Sequence, residues 1–270
     1  MKVYTFIFTI YIFLACHNDP HQGQKDLLSN AEWIDLTYPF SEKTLYWPNN
    51  PKGFTRDTLF EGINDKGFYY SSFGFYAPEH GGTHLDAPVH FAKGKKTVDQ
   101  LELNQLTGEA ILIDVSANAS QNRDYLVKED DVLLWEKRNG TIPDNIIVLF
   151  RTGYGQYYPD ALKYFGTDKT GEEAIPFLHF PGIDPKLAEW LVKNRKIKAV
   201  GLDTPSIDYG QSTDFQTHRI LLAENIPAFE NVANLNLLPE KNIYIVALPM
   251  LLKDGSGGPL RIIACETNDK

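Results

Sequence analysis

A chain of 270 residues suits one large domain or two small ones, and its 43% hydrophobic and 13% aromatic content excludes a disordered or fibrous protein. Its 35 Asp and Glu outnumber its 26 Lys and Arg, for a formal charge of −9, and no basic cluster interrupts that acidity. A nucleic-acid partner or an anionic membrane surface is therefore without support.

The chain opens on Met1-Lys2 and an apolar run of thirteen residues, Val3 to Ala15. That run is too short to span a bilayer and suits the apolar region of a signal peptide, residues 1–15. Its end, Phe13-Leu14-Ala15-Cys16, resembles a bacterial lipobox, with Phe13 where Leu is more usual. The resemblance implies cleavage before Cys16, lipid on its thiol, and an exported lipoprotein of the periplasm or cell envelope. Its only membrane contact would be that anchor. A soluble secreted protein or an uncleaved anchor is the alternative. Residues 16–30 are polar and read as a tether, which leaves 31–270 for the folded domain. With Cys16 lipidated, Cys265 has no partner. No disulfide is expected, and the apolar run Leu260–Cys265 makes that thiol a buried structural one.

Beyond the tether, strand-like and helix-like patterns alternate. Strands are predicted at Phe68–Tyr76, Ala110–Val115, Ile146–Arg151, Ile197–Leu202, Asn242–Leu248 and Pro259–Ala264. The clearest helix is Pro185–Arg195, with Asp184 as N-cap, Pro185 in the first turn and an apolar stripe of Leu187, Leu191 and Val192. Two more are predicted near Lys128–Lys137 and Asp214–Glu224. The mixture defines an α/β domain with a mixed sheet. Two punctuated loops, Trp47-Pro-Asn-Asn-Pro51 and Asp254-Gly-Ser-Gly-Gly-Pro259, are either close approaches of backbone to a ligand or plain turns.

Three of the seven histidines fall between residues 80 and 90, in His80-Gly-Gly-Thr-His84-Leu-Asp86-Ala-Pro-Val-His90. Gly81, Gly82 and Pro88 rule out a helix. Positions 80, 84, 86 and 90 share one parity, so an extended segment, broken by turns at the Gly pair and Ala87-Pro88, would present all four to one cavity. His80, His84 and Asp86 form a three-ligand set for a divalent metal that leaves room for water, and zinc and manganese both suit such donors. Such a site makes hydroxide available at neutral pH, and His90, beyond the trio, is placed to take or deliver a proton.

Every fixed position of this segment matches the signature H-x-G-T-H-x-D-x-P-x-H, so the chain resembles the cyclase family of metal-dependent hydrolases, which includes kynurenine formamidases and isatin hydrolases. Phe180-Pro-Gly182, Val200–Asp208, His218–Leu222, Glu230–Leu235 and Gly255–Pro259 resemble further family segments in order. The resemblance implies metal ligands at His80, His84 and Asp86, with Asp86 able to bridge two ions. It also implies further ligands at His218 and Glu230, residues that pattern alone reads as an ordinary helix position and a surface acid. His90 would be the proton donor and acceptor. Trp47 matches a substrate-contacting aromatic, although the Gly-Asp that usually follows is replaced by Asn49-Asn50.

The implied fold is a swivelling β/β/α type, a mixed barrel-like sheet flanked by helices, usually a homodimer. Tyr154, Tyr157, Tyr158, Tyr164, Phe165 and Phe177, in a stretch longer than in compact formamidases, either wall an aromatic pocket or belong to the core or a dimer contact. The implied activity is hydrolysis of a formamide or cyclic amide on a small aromatic substrate with one or two Zn2+, or Mn2+. The rival readings are a metal-dependent cyclase or dehydratase, and a lipid-anchored binding protein without catalysis.

Overall fold

Runs rich in Val, Ile and Leu build the centre of the structure, a computed structural model that describes residues 31–267. The signal peptide, Cys16 and the tether predicted from sequence lie outside the described residues. The strands are β1 (Trp33–Asp35), β2 (Thr55–Ile63), β3 (Tyr69–Tyr76), β4 (His84–Asp86), β5 (Thr107–Asp114) and β6 (Leu126–Val127). They continue with β7 (Ile147–Arg151), β8 (Gly182–Ile183), β9 (Ala199–Leu202), β10 (Ala228–Glu230), β11 (Ile243–Pro249) and β12 (Gly257–Glu266). Three longer helices are α1 (Glu129–Asn139), α2 (Pro185–Asn194) and α3 (Gln216–Ala223).

Seven strands close into a ring in the order β12-β11-β5-β7-β9-β10-β4, with β4 pairing back onto β12. β5, β7, β9 and β10 run parallel to their neighbours, whereas β11, β12 and β4 join antiparallel. β1 lies along the far end of β12, with Trp33 opposite Cys265. This is the mixed barrel-like sheet that the family resemblance implied.

The side-chain period of two separates the barrel's inside from its outside. Leu85, Leu112, Leu149, Ala199, Phe229, Ile245 and Ile262 are buried together in one cluster that draws on all seven strands, so they fill the barrel. Their neighbours Ile113, Phe150, Leu202 and Ala228 belong to a second cluster with Trp135 of α1, Leu187 and Leu191 of α2 and Leu221 of α3. The helices thus cover the outer face of the parallel strands.

Helix α2 starts where its sequence says it should. Asp184 caps it by accepting from Lys186 N (2.9 Å), Pro185 occupies the first turn, and Leu187, Ala188 and Leu191 form the buried stripe. Cys265 is a buried thiol on β12, its pKa raised by burial. Among the described residues, no helix is long and apolar enough to cross a membrane.

One feature departs from the sequence reading. β2 was not anticipated. Among the described residues it pairs only with β3, and their ribbon leaves Leu59, Ile63, Tyr69 and Phe75 exposed, so no clean alternation marks it. Residues 80–90 follow the sequence reading, an extended segment broken by turns at the Gly pair and at Ala87-Pro88. β4 spans His84–Asp86, Gly81 (φ 148°) and Gly82 (φ 55°) turn the chain before it, and Pro88 starts a 3-10 turn that carries His90. The glycines serve protein packing, because a Cβ on Gly81 would sit 2.1 Å from the Tyr46 ring and one on Gly82 2.8 Å from Thr44 Cγ2.

Candidate metal centre

Three elements converge on one side of the barrel. β4 pairs antiparallel with β10 so that His84 stands opposite Glu230, and on its other edge Asp86 stands opposite Gly257 of β12. Because Leu85 and Phe229 point into the barrel, His84, Asp86 and Glu230 point out of it, towards α3. His218 lies on the buried stripe of α3 with Leu221 and Leu222 and completes the enclosure. His84, Asp86, His218 and Glu230 are all buried, whereas His80 retains 26% side-chain exposure.

The donor atoms face one another at short range. Asp86 Oδ1 lies 2.6 Å from His80 Nδ1 and 3.2 Å from His84 Nε2, and Asp86 Oδ2 lies 3.0 Å from His218 Nε2. Glu230 Oε2 is 3.4 Å from His84 Nε2, and its Oε1 is 3.2 Å from His218 Nε2. Two ligand sets result, His80-His84-Asp86 and Asp86-His218-Glu230, with Asp86 common to both. All five residues that the sequence and its resemblance nominated therefore meet in one place.

The outer partners of the imidazoles decide what those inner atoms are. His84 Nδ1–H donates to the Gly82 carbonyl (2.9 Å), His218 Nδ1–H to Asp208 Oδ2 (2.6 Å) and His80 Nε2–H to Ser256 Oγ (2.9 Å). With the outer nitrogens committed as donors, neutral rings direct three lone pairs at two carboxylates. Acceptors facing acceptors are stable only with cations among them, either protons or a metal. The donor set of three imidazoles and two carboxylates fits a borderline divalent ion.

The proton affinities express the same excess of negative charge. Burial works against a charged His84, yet Asp86 and Glu230 outweigh it and push its pKa up to about 9. His218 is likewise raised, burial being overcome by Asp208, Asp86 and Glu230. Asp86 is held well below the carboxylate range, because His80, His84 and His218 overcome its burial. Glu230 is pushed up by burial and by the charge of Asp86.

Residues that spacing did not reveal hold this cluster in place. Asp208 accepts from the backbone N–H of Thr217 and His218 (3.1 Å each) as well as from the His218 ring, so it fixes the start of α3 and the ring together. Asn231, in the left-handed conformation (φ 52°), donates from Nδ2 to the Gly82 carbonyl (2.7 Å), the same carbonyl that orients His84. Thr83 donates to Asn231 O (2.7 Å) and accepts from Tyr38 N (2.9 Å), which makes it structural. The only sequence signal for Asp208 was its place in a family-like segment.

His90 stacks on the face of His80, with centroids 3.8 Å apart and planes 20° apart. Burial pushes its pKa down to about 4; Asp86 opposes the shift, and His80, His218 and His84 add to it. Beside it opens a cavity of about 240 Å³, lined by the cluster and by Leu45, Trp47, Phe91, Phe165 and Phe215. Trp47 meets Phe180 edge-on (6.1 Å) and lies 6.2 Å from Phe215. Its loop is held where Asn49 Nδ2 donates to Glu172 (2.9 Å) and Gly171 N donates to Pro48 O (2.8 Å). Of the six aromatic residues left open between core and pocket, Phe165 alone lines the cavity. Tyr154 and Tyr164 are buried in a core cluster with Phe180, and Phe177 is exposed.

This geometry agrees with what the chain is related to. The cyclase family profile matches residues 34–209, the greater part of the chain, and the protein belongs to that family. It is 29% identical over 256 residues to an isatin hydrolase from Roseibium aggregatum, covering 90% of this chain and 94% of that protein. A kynurenine formamidase from Bacillus cytotoxicus is 26% identical over 237 residues, covering 86% and 97%. The solved structure of isatin hydrolase A from Labrenzia aggregata, bound to benzyl benzoate, superposes with a TM-score of 0.80 at 26% identity, over 92% of this chain and 99% of that one.

A cation at about 100 times its Kd stabilises a folded protein by about 2.7 kcal/mol. Chelation should therefore lower the melting temperature of the purified protein, and Zn2+ or Mn2+ should restore it in wild type but not in His84→Ala. A wild type free of metal by elemental analysis, with a melting temperature indifferent to chelator and metal, would remove the centre.

Proposed function

We propose that this chain is a metal-dependent hydrolase that opens a formamide or cyclic amide C–N bond in a small aromatic substrate. The observation that carries the reading is His90, held against the buried ligand cluster at the edge of an aromatic cavity. His80, His84 and Asp86 would hold one Zn2+ or Mn2+, and His218 and Glu230 would complete a second position across Asp86. Bound there, the metal supplies Lewis-acid polarisation of the scissile carbonyl and acidifies water. The names of the relatives, isatin hydrolase and kynurenine formamidase, support the substrate class.

The remaining work falls to the chain itself. Trp47, Phe91, Phe165 and Phe215 bind the aryl ring and exclude bulk water, which strengthens the electrostatics of the cluster. His90, neutral at pH 7, takes a proton from the attacking water as its oxygen bonds to the carbonyl carbon. It returns that proton to the nitrogen as the C–N bond breaks, and the second water proton leaves when the new carboxyl group ionises.

We also propose that the chain is exported, anchored by lipid on Cys16 and homodimeric. Leader residues 1–15 and Cys16 support an exported, lipid-anchored protein, and the exposed Leu59 (68%) and Ile63 (67%) on a ribbon that, among the described residues, pairs only with itself support a homodimer.

Isatin and N-formylkynurenine are the first substrates to assay. His90→Ala should lower kcat by about 10²- to 10⁴-fold with metal content unchanged. Undiminished turnover would remove the proton role, and failure of the metal-loaded wild type on aryl amides would remove the substrate class. In a bacterial host the full chain should partition into detergent and carry an acylated Cys16 by mass spectrometry, whereas Cys16→Ser should stay aqueous; an unmodified Cys16 would sink the anchor. Sedimentation velocity should give a dimer for the wild type and a monomer for the Leu59→Asp, Ile63→Asp variant. A monomeric wild type would sink the dimer.

A further inference from the structure

His80 is held differently from the other two imidazoles of the cluster. His84 and His218 pass their outer N–H directly to a carbonyl and to a buried carboxylate, but His80 passes its own to a hydroxyl, Ser256 Oγ, at 2.9 Å. That hydroxyl has a single proton, and it goes onward to Glu79 Oε2, 2.6 Å away, because a carboxylate can only accept. The same Oε2 accepts from the backbone N–H of Ser256 (2.9 Å) and Gly257 (3.2 Å). Glu79 directly precedes His80, so a carboxylate and the imidazole it governs leave the chain side by side and meet again through a loop 176 residues away.

The loop is tied to the segments on either side of the site. Ala87 N donates to Ser256 O (2.9 Å), and Val98 N donates to Gly255 O (3.0 Å). A Cβ on Gly257 would lie 2.4 Å from His80 Cε1, so the glycine lets the backbone close against the ring. The Gly-Ser-Gly-Gly run, which sequence alone leaves as either a turn or a ligand approach, is in this structure a seat for His80.

We propose that Glu79 and Ser256 are positioning residues that set the metal affinity of the His80 half of the centre. Their relay holds His80 as the Nε2–H tautomer, keeps Nδ1 bare towards Asp86, and places a negative charge behind the ring that strengthens Nδ1 as a donor. The half formed by Asp86, His218 and Glu230 depends on Asp208 instead. The inference rests on the reading of this cluster as a metal centre.

Apo wild type, Ser256→Ala, Ser256→Thr and Glu79→Gln are titrated with Zn2+ against a chromophoric chelator and with Co2+ for its visible bands. Ser256→Ala and Glu79→Gln should weaken Zn2+ binding at one position by about 10- to 100-fold and shift the Co2+ bands. Ser256→Thr, which keeps the hydroxyl, should restore both readouts. Wild-type affinity and unshifted bands in Ser256→Ala and Glu79→Gln overturn the relay and leave the metal centre standing. A defect in Ser256→Thr equal to that of Ser256→Ala assigns the effect to loop packing and overturns it too. A wild type that takes up neither ion overturns the metal reading, and the relay falls with it.

Discussion

β4 is three residues long, and the site depends on its register. It closes the barrel between β10 and β12, with Leu85 filling the interior and His84 and Asp86 directed outwards. Because side chains alternate, a slip of one residue would bury both polar groups in the apolar barrel and expose Leu85. The antiparallel pairing also brings Glu230 opposite His84, so one register selects three of the five cluster residues at once. The interior packing of Leu85 and Phe229 is therefore what holds the polar face in place.

Two carboxylates and three imidazoles in so small a volume would be costly if left unbalanced. The effective penalty for burying an ion is several kcal/mol, and removing one partner of a buried pair costs about 3–5 kcal/mol. The surroundings divide the roles between the two acids. Asp86 faces all three imidazoles and stays ionised, whereas Glu230, beside that charge, is pushed towards its neutral form. A divalent cation would satisfy both, and Asp86 belongs to both candidate ligand sets.

Around this polar knot the chain arranges apolar surface. Trp47 reaches the cavity from a loop fastened to residues 171–172, and Phe165 reaches it from the stretch that follows β7. The turn after β7 is itself held by buried Asp203, which accepts from the N–H of Thr152 (2.7 Å) and Gly153 (2.9 Å). Asp203 and Asp208 sit five residues apart in one family-like segment, yet only Asp208 touches the cluster. The acid that holds the turn after β7 and the acid that orients His218 come from the same segment.

Much of the architecture was legible before any coordinates. The β-branched runs at 110–115, 146–151, 197–202 and 242–248 became the barrel strands within about three residues, and α2 kept its Asp184 cap. Those elements satisfy their own periodicity, so local pattern and burial agree. The His-Asp segment likewise announced its chemistry, because three imidazoles and a carboxylate within 80–90 have few other uses. The turns of that segment were legible too. Gly81, Gly82 and Pro88 bend it at the expected turns, so strand alternation does not extend to His80 and His90. Nor did pattern alone distinguish Glu230 from a surface acid or link Glu79 to Ser256. Those contacts join residues 146 and 177 positions apart, and only the closure of β4 against β10 and β12 brings them within reach. The residue types that can hold a metal were written in the chain; which of them meet was decided by the closed barrel.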